Sequence, residues 1–155
     1  APGPCRFGQY NILQQQLLDE QGLGDVEVMA PTSGNSYRGM SDNPAKFRLM
    51  AWDAVVVMDL LQQMLHRFRP YETNVGDADE IYAQGFERVT VATRAGGGSA
   101  LRDAITWVGK KYESMPQMVD QDKPLIGVIG EIYVRFSPYA NQDIVRRVEE
   151  QDGGS

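Results

Sequence analysis

Leu125–Ile126–Gly127–Val128–Ile129 is a continuous apolar run of strand length, bounded by Pro124 and Gly130. Such a run suits a strand buried on both faces in a parallel sheet. No Asn-Gly or Asp-Gly pair lies beside it, so parallel pairing is expected rather than a hairpin. Gly130–Glu131–Ile132–Tyr133–Val134–Arg135–Phe136 follows, and a last helix fits residues 139–151. If the run is a strand, the chain is an α/β protein. A second short strand is expected at Val26–Glu27–Val28–Met29–Ala30, which alternates and is closed by Pro31.

Between these two runs the sequence reads as helix. Residues 44–68 carry the strongest pattern, with Phe47, Met50, Ala54, Met58, Leu61, Leu65 and Phe68 spaced by threes and fours. Asn43 suits the N-cap and Pro44 the first helical position, while Pro70 ends the helix. From Val55 to Leu61 the sequence is apolar nearly all round, so this helix is expected to be central and buried. Tyr10, Leu13 and Leu17 mark a helix over 10–21, stopped by Gly22 and Gly24. Tyr82, Phe86, Val89 and Thr93 mark a helix over 77–94, although the β-branched stretch 88–93 also fits a strand. A helix over 100–114 follows Gly96–Gly97–Gly98–Ser99, with Leu101, Ile105, Val108 and Tyr112 in its stripe. The expected architecture is helix-rich α/β, a Rossmann-like fragment with few parallel strands. Residues 1–118 form a helix-rich segment with one short strand, and 119–155 open a Rossmann-like unit.

Composition narrows the function. The chain has 155 residues, 42% of them hydrophobic, which supports a packed core. Its net charge of −6 argues against nucleic acid, whose binding needs a basic surface. No stretch approaches the roughly 20 apolar residues that span a bilayer, and no signal peptide is recognisable, so a cytoplasmic protein is expected. The single cysteine, Cys5, excludes a disulfide framework within the chain. The start at Ala1–Pro2–Gly3–Pro4–Cys5, without an initiator methionine, reads as a piece of a longer protein.

Two constellations could carry chemistry. In Gly3–Pro4–Cys5–Arg6–Phe7–Gly8–Gln9–Tyr10, Cys5 precedes a helix start and neighbours Arg6. Both features favour the thiolate needed for metal ligation or attack. The alternative is that Cys5 is only a small residue in a frayed terminus, since one cysteine by itself specifies nothing. In the second constellation Glu131, Tyr133 and Arg135 alternate with Ile132 and Val134. On an extended chain they share one face, so Glu131 suits an acid or base and Arg135 a phosphate or carboxylate clamp. An edge strand with solvated charges is the alternative. The triple glycine reads as a linker, lacking the strand and lysine of a phosphate loop. His66 reads as structural, and the seven methionines read as core filler.

Together, the Gly3–Tyr10 block and the Gly130–Phe136 block with Asn141 resemble two motifs of the 2-hydroxyacyl-CoA dehydratase family and its activase-related proteins. The resemblance implies an anaerobic, cytoplasmic iron–sulfur system. In it an ATP-dependent activase passes a low-potential electron to a component acting on an acyl-CoA thioester. It further implies that Cys5 ligates a 4Fe–4S cluster in the full-length parent. It makes Glu131 a catalytic residue and sets Arg6, Tyr133, Arg135 and Asn141 at the cofactor cleft. The other cluster cysteines and an ATPase domain are missing, so the isolated chain is expected to be inactive and to hold no cluster. The alternative is a non-catalytic interaction module that docks an activase or sister subunit, with the outer face of helix 44–68 as the contact.

Overall fold

The computed structural model describes residues 6–32, 34, 35, 37, 39–118 and 123–151. Seven α-helices run through them: α1 (Tyr10–Glu20), α2 (Pro44–Phe68), α3 (Asp77–Arg94), α4 (Ser99–Ser114), α5 (Ile132–Phe136), α6 (Pro138–Asn141) and α7 (Ile144–Gln151). The described residues contain no strand and no sheet, so the fold is all-α and the α/β, Rossmann-like expectation is corrected. Among the described residues the one extended pairing is an isolated antiparallel bridge between Glu72 and Gln117. The chain divides into two compact units, residues 1–53 and 54–155.

In the first unit, a 3₁₀ turn (Arg6–Gln9) leads into α1, and α2 begins after Asn43. The expected cap is present: Lys46 N–H donates to Asn43 Oδ1 at 3.0 Å. The expected strand at 26–30 is irregular. Its Val26 carbonyl accepts from Gln15 Nε2 at 3.2 Å and its Val28 N–H donates to Gln15 Oε1 at 3.1 Å. One side-chain amide from α1 thus satisfies the groups that a neighbouring strand would have bonded. Leu49 and Trp52 stand exposed on α2.

The second unit is built on the rest of α2 with α3 and α4. Leu61, Leu65, Ala78, Val108, Tyr112 and Met115 form one buried cluster; Val57, Val89, Ala92, Leu101 and Ala104 form another. The segment 88–93 is helical, inside α3. Ala78, Gly85, Val89 and Ala92 are the buried residues of α3, while Phe86 of the expected stripe is nearly half exposed. Small side chains let three helices meet closely. A Cβ on Gly85 would lie 2.7 Å from Val108 Cγ2 and 2.8 Å from Leu61 Cδ1.

The start of α3 is capped from outside the helix. Gly76 sits at φ 104°, a left-handed conformation that L residues rarely adopt, and has no side chain to offer. The buried Glu72 carboxylate takes over, accepting from Gly76 N–H at 3.0 Å and Ala78 N–H at 2.8 Å. Tyr112, fully buried, stacks on Phe68 at 5.1 Å and donates its hydroxyl to the Ala78 carbonyl at 3.0 Å. Burial pushes its phenol well above the ordinary value.

The expectation that α2 is buried all round between Val55 and Leu61 is also corrected. Val57 and Leu61 are buried, but Val55, Val56 and Leu60 are exposed, because packing partners cover only one side of the helix. The last helix, expected as one piece over 139–151, is two. Gln142 and Asp143 take positive φ of 56° and 55°, and this left-handed pair separates α6 from α7.

A candidate interaction surface

Residues 123–129 run without regular structure, and no backbone hydrogen bond joins 123–130 to the other described residues. Leu125 and Ile129 are 102% and 95% exposed, and Ile126 is more than half exposed. The buried parallel strand expected here is therefore absent. An isolated strand has no stability without a paired neighbour, and Gly127 and Gly130 add backbone freedom on either side of Val128–Ile129.

The apolar character continues into α5, where Ile132, Tyr133 and Phe136 are all more than half exposed. Two short caps shape this region. Glu131 accepts the Val134 N–H at 3.0 Å and starts α5; Ser137 accepts the Ala140 N–H at 3.3 Å and starts α6. Asn141 donates Nδ2 to the Arg135 carbonyl at 2.9 Å and accepts the Ile144 N–H at 3.3 Å, tying the turns together.

Cys5 lies outside the described residues, and Arg6 opens the 3₁₀ turn before α1. Glu131 is the N-cap of α5, and Asn141 is the last residue of α6. Tyr133 is exposed, and the Arg135 guanidinium lies 4.6 Å from the centre of the Phe136 ring. Because α5 is a helix, Tyr133 and Arg135 lie about 200° apart around it. The shared face that an extended chain would have provided does not form.

The donor set does not fit a 4Fe–4S cluster held by this chain alone. Such a cluster takes four cysteine thiolates, and the chain has one cysteine. Among the described residues no group of three or more His, Cys, Asp or Glu side chains could hold a metal ion.

A charged cluster not foreseen from sequence lies at the C-terminal end of α2. Arg69 Nε donates to Glu149 Oε2 at 2.6 Å, and Arg69 Nη1 donates to Asp79 Oδ1 at 3.0 Å. Arg146 Nη2 reaches Asp79 Oδ2 at 2.9 Å, and Arg146 Nε lies 3.5 Å from Glu150 Oε1. His66 Nδ1 lies 3.5 Å from Glu149 Oε1, too far for a well-formed hydrogen bond. Burial pushes the Glu149 carboxyl up, but His66 and Arg69 beside it pull harder and hold it below its ordinary range. Arg69 and Glu149 are 80 residues apart, so no local pattern could have linked them.

Among the described residues no helix is long and apolar enough to cross a membrane. Comparison with known proteins finds no matching family, no matching curated protein and no matching solved structure.

Proposed function

We propose that this chain is a non-catalytic interaction module that docks a protein partner through residues 125–136. One observation carries the reading. Leu125, Ile126, Ile129, Ile132, Tyr133 and Phe136, six large apolar side chains within twelve residues, are each more than half exposed. Contiguous exposed apolar surface on a folded chain marks a contact with another macromolecule. The run 125–129 has no regular structure and makes no backbone hydrogen bond to the other described residues, and main-chain pairing with a sheet edge is a common way for such a segment to bind. Net charge −6 favours a protein over nucleic acid as the partner. The resemblance noted from sequence nominates an ATP-dependent activase or a sister subunit.

The capping geometry supports the same reading. The Glu131 carboxylate and the Asn141 amide are engaged with backbone groups of their own turns, which suits shaping a segment better than proton transfer. The test is binding by titration calorimetry of the chain to the activase and to the sister subunit. Ile126→Asp combined with Ile129→Asp should weaken binding at least about tenfold, a hot-spot-sized loss, with unchanged circular dichroism. Binding that survives the double substitution would reject this reading. Stoichiometric iron in the protein purified without oxygen would favour the redox role instead.

A further inference from the structure

We propose that residues 123–143, which include the docking segment, form a strap fastened at both ends to one short turn, with Arg69 of that turn holding the C-terminal end. The turn is the 3₁₀ stretch Arg69–Tyr71 between α2 and α3. On the N-terminal side of the strap, the Tyr71 carbonyl accepts the Met118 N–H at 2.8 Å, and the Lys123 ammonium lies 6.0 Å from the centre of the Tyr71 ring. On the C-terminal side, Arg69 Nε donates to Glu149 Oε2 of α7 at 2.6 Å. Arg69 and Tyr71 are separated by a single residue, so the strap leaves the bundle and returns to it at the same place.

The two fastenings differ in kind. Backbone groups make the first, where the Thr73 N–H also donates to the Pro116 carbonyl at 3.1 Å, next to Met115 in the buried core. Side-chain charge makes the second. Helix α7 has no buried residue, and its Val145 and Val148 are half-buried. Its short ionic contacts to the bundle join Glu149 to Arg69 and, at 2.9 Å, Arg146 to Asp79. Arg69 also donates to Asp79 at 3.0 Å, so one guanidinium joins α7 to α3. Its planar fork suits two carboxylates from different helices, which a lysine ammonium on a flexible stem does not match. The Arg69 side chain is 12% exposed, so water competes little for these bonds.

Fastened ends limit where the exposed side chains of 125–136 can go. A partner then loses less conformational entropy in ordering them than it would with a free tail. Releasing α7 leaves the strap held at its N-terminal end alone. The consequence for binding rests on the docking role proposed above; the strap itself does not.

Spin-label distance measurements on the free, full chain test the strap without any partner. In a Cys5→Ser background, nitroxide labels are attached at Gln117→Cys and Gln151→Cys, exposed positions that flank the strap. One narrow distance distribution is expected. Arg69→Ala should replace it with a broad one and speed hydrogen exchange of 144–151 at least about fivefold, the upper range of one surface ion pair, while α3 and α4 stay protected. Glu149→Ala, which leaves the Arg69–Asp79 pair in place, should do the same. Because the two residues act through one contact, combining both substitutions should speed exchange no more than about twofold beyond Arg69→Ala alone. A broad distribution in the chain that keeps both residues, or a narrow one that survives in either single variant, would overturn the strap. So would effects of the two substitutions that simply add.

Discussion

The stretches 54–61 and 125–129 are almost equally apolar, yet the first helps build the core and the second lies in solvent. The contrast lies in their partners. In α2, Val57 and Leu61 meet α3 and α4, whose small residues Ala78, Gly85 and Ala104 open room for close approach. Residues 125–129 meet no sheet, and no described strand elsewhere could supply one. Hydrophobicity marks what gains from burial; whether burial happens depends on complementary surface elsewhere in the chain. The same lesson holds within α2, where Val57 is buried while its neighbours Val55 and Val56 are exposed.

Substitutions can sharpen this contrast. Leu61→Ala should cost about 2–5 kcal/mol, as a fully buried leucine loses its contacts and leaves a cavity. Chemical denaturation measures it, and a loss below half of that range would mean that α2 is not central. Glu72→Ala should cost about 1–3 kcal/mol, because the N–H groups of Gly76 and Ala78 lose their acceptor. Gly85→Ala should cost about 1–2 kcal/mol. Overpacking against Val108 and Leu61 there exceeds the alanine helix preference of about 1 kcal/mol. A stabilised Gly85→Ala variant would show that the three helices yield more easily than their spacing indicates. By contrast, Ile129→Ala should change stability by less than about 0.5 kcal/mol, as expected for a surface position.

The smallest effect concerns acid. The folded-state value of Glu149 is depressed, so its contribution is present above the unfolded value of about 4.3 and is lost as pH falls through the folded value. Protection of α7 should therefore decline below about pH 4.3, and Glu149→Gln should flatten that decline. Hydrogen exchange at pH 3 and pH 5 measures both.

The helices were legible because their signals are local. Asn43 and Pro44 mark the start of α2, and the stripe from Phe47 to Phe68 gives its inner face. The strands were misread because an apolar run shows only an appetite for burial. At 26–30 the competing bond came from Gln15, eleven and thirteen residues from its contacts, and the alternating pattern does not encode it. The break at Gln142–Asp143 rests on left-handed backbone at two non-glycine residues, which carries little sequence signature. The candidate surface was half legible. Gly130–Phe136 drew attention for its alternating polar residues, whereas its apolar residues are what stand out once the segment is seen to be exposed. The charged cluster was not legible at all, since it joins His66 and Arg69 to Glu149 across the length of the unit.

The most direct test of the account is hydrogen exchange at 125–130 in the free chain, compared with α3 and α4. Exchange near the intrinsic rate is expected at Leu125, Ile126, Val128 and Ile129 while α3 and α4 remain protected. Protection at 125–129 equal to that of α3 and α4 would mean that the run is paired and buried, and would contradict the exposed docking segment.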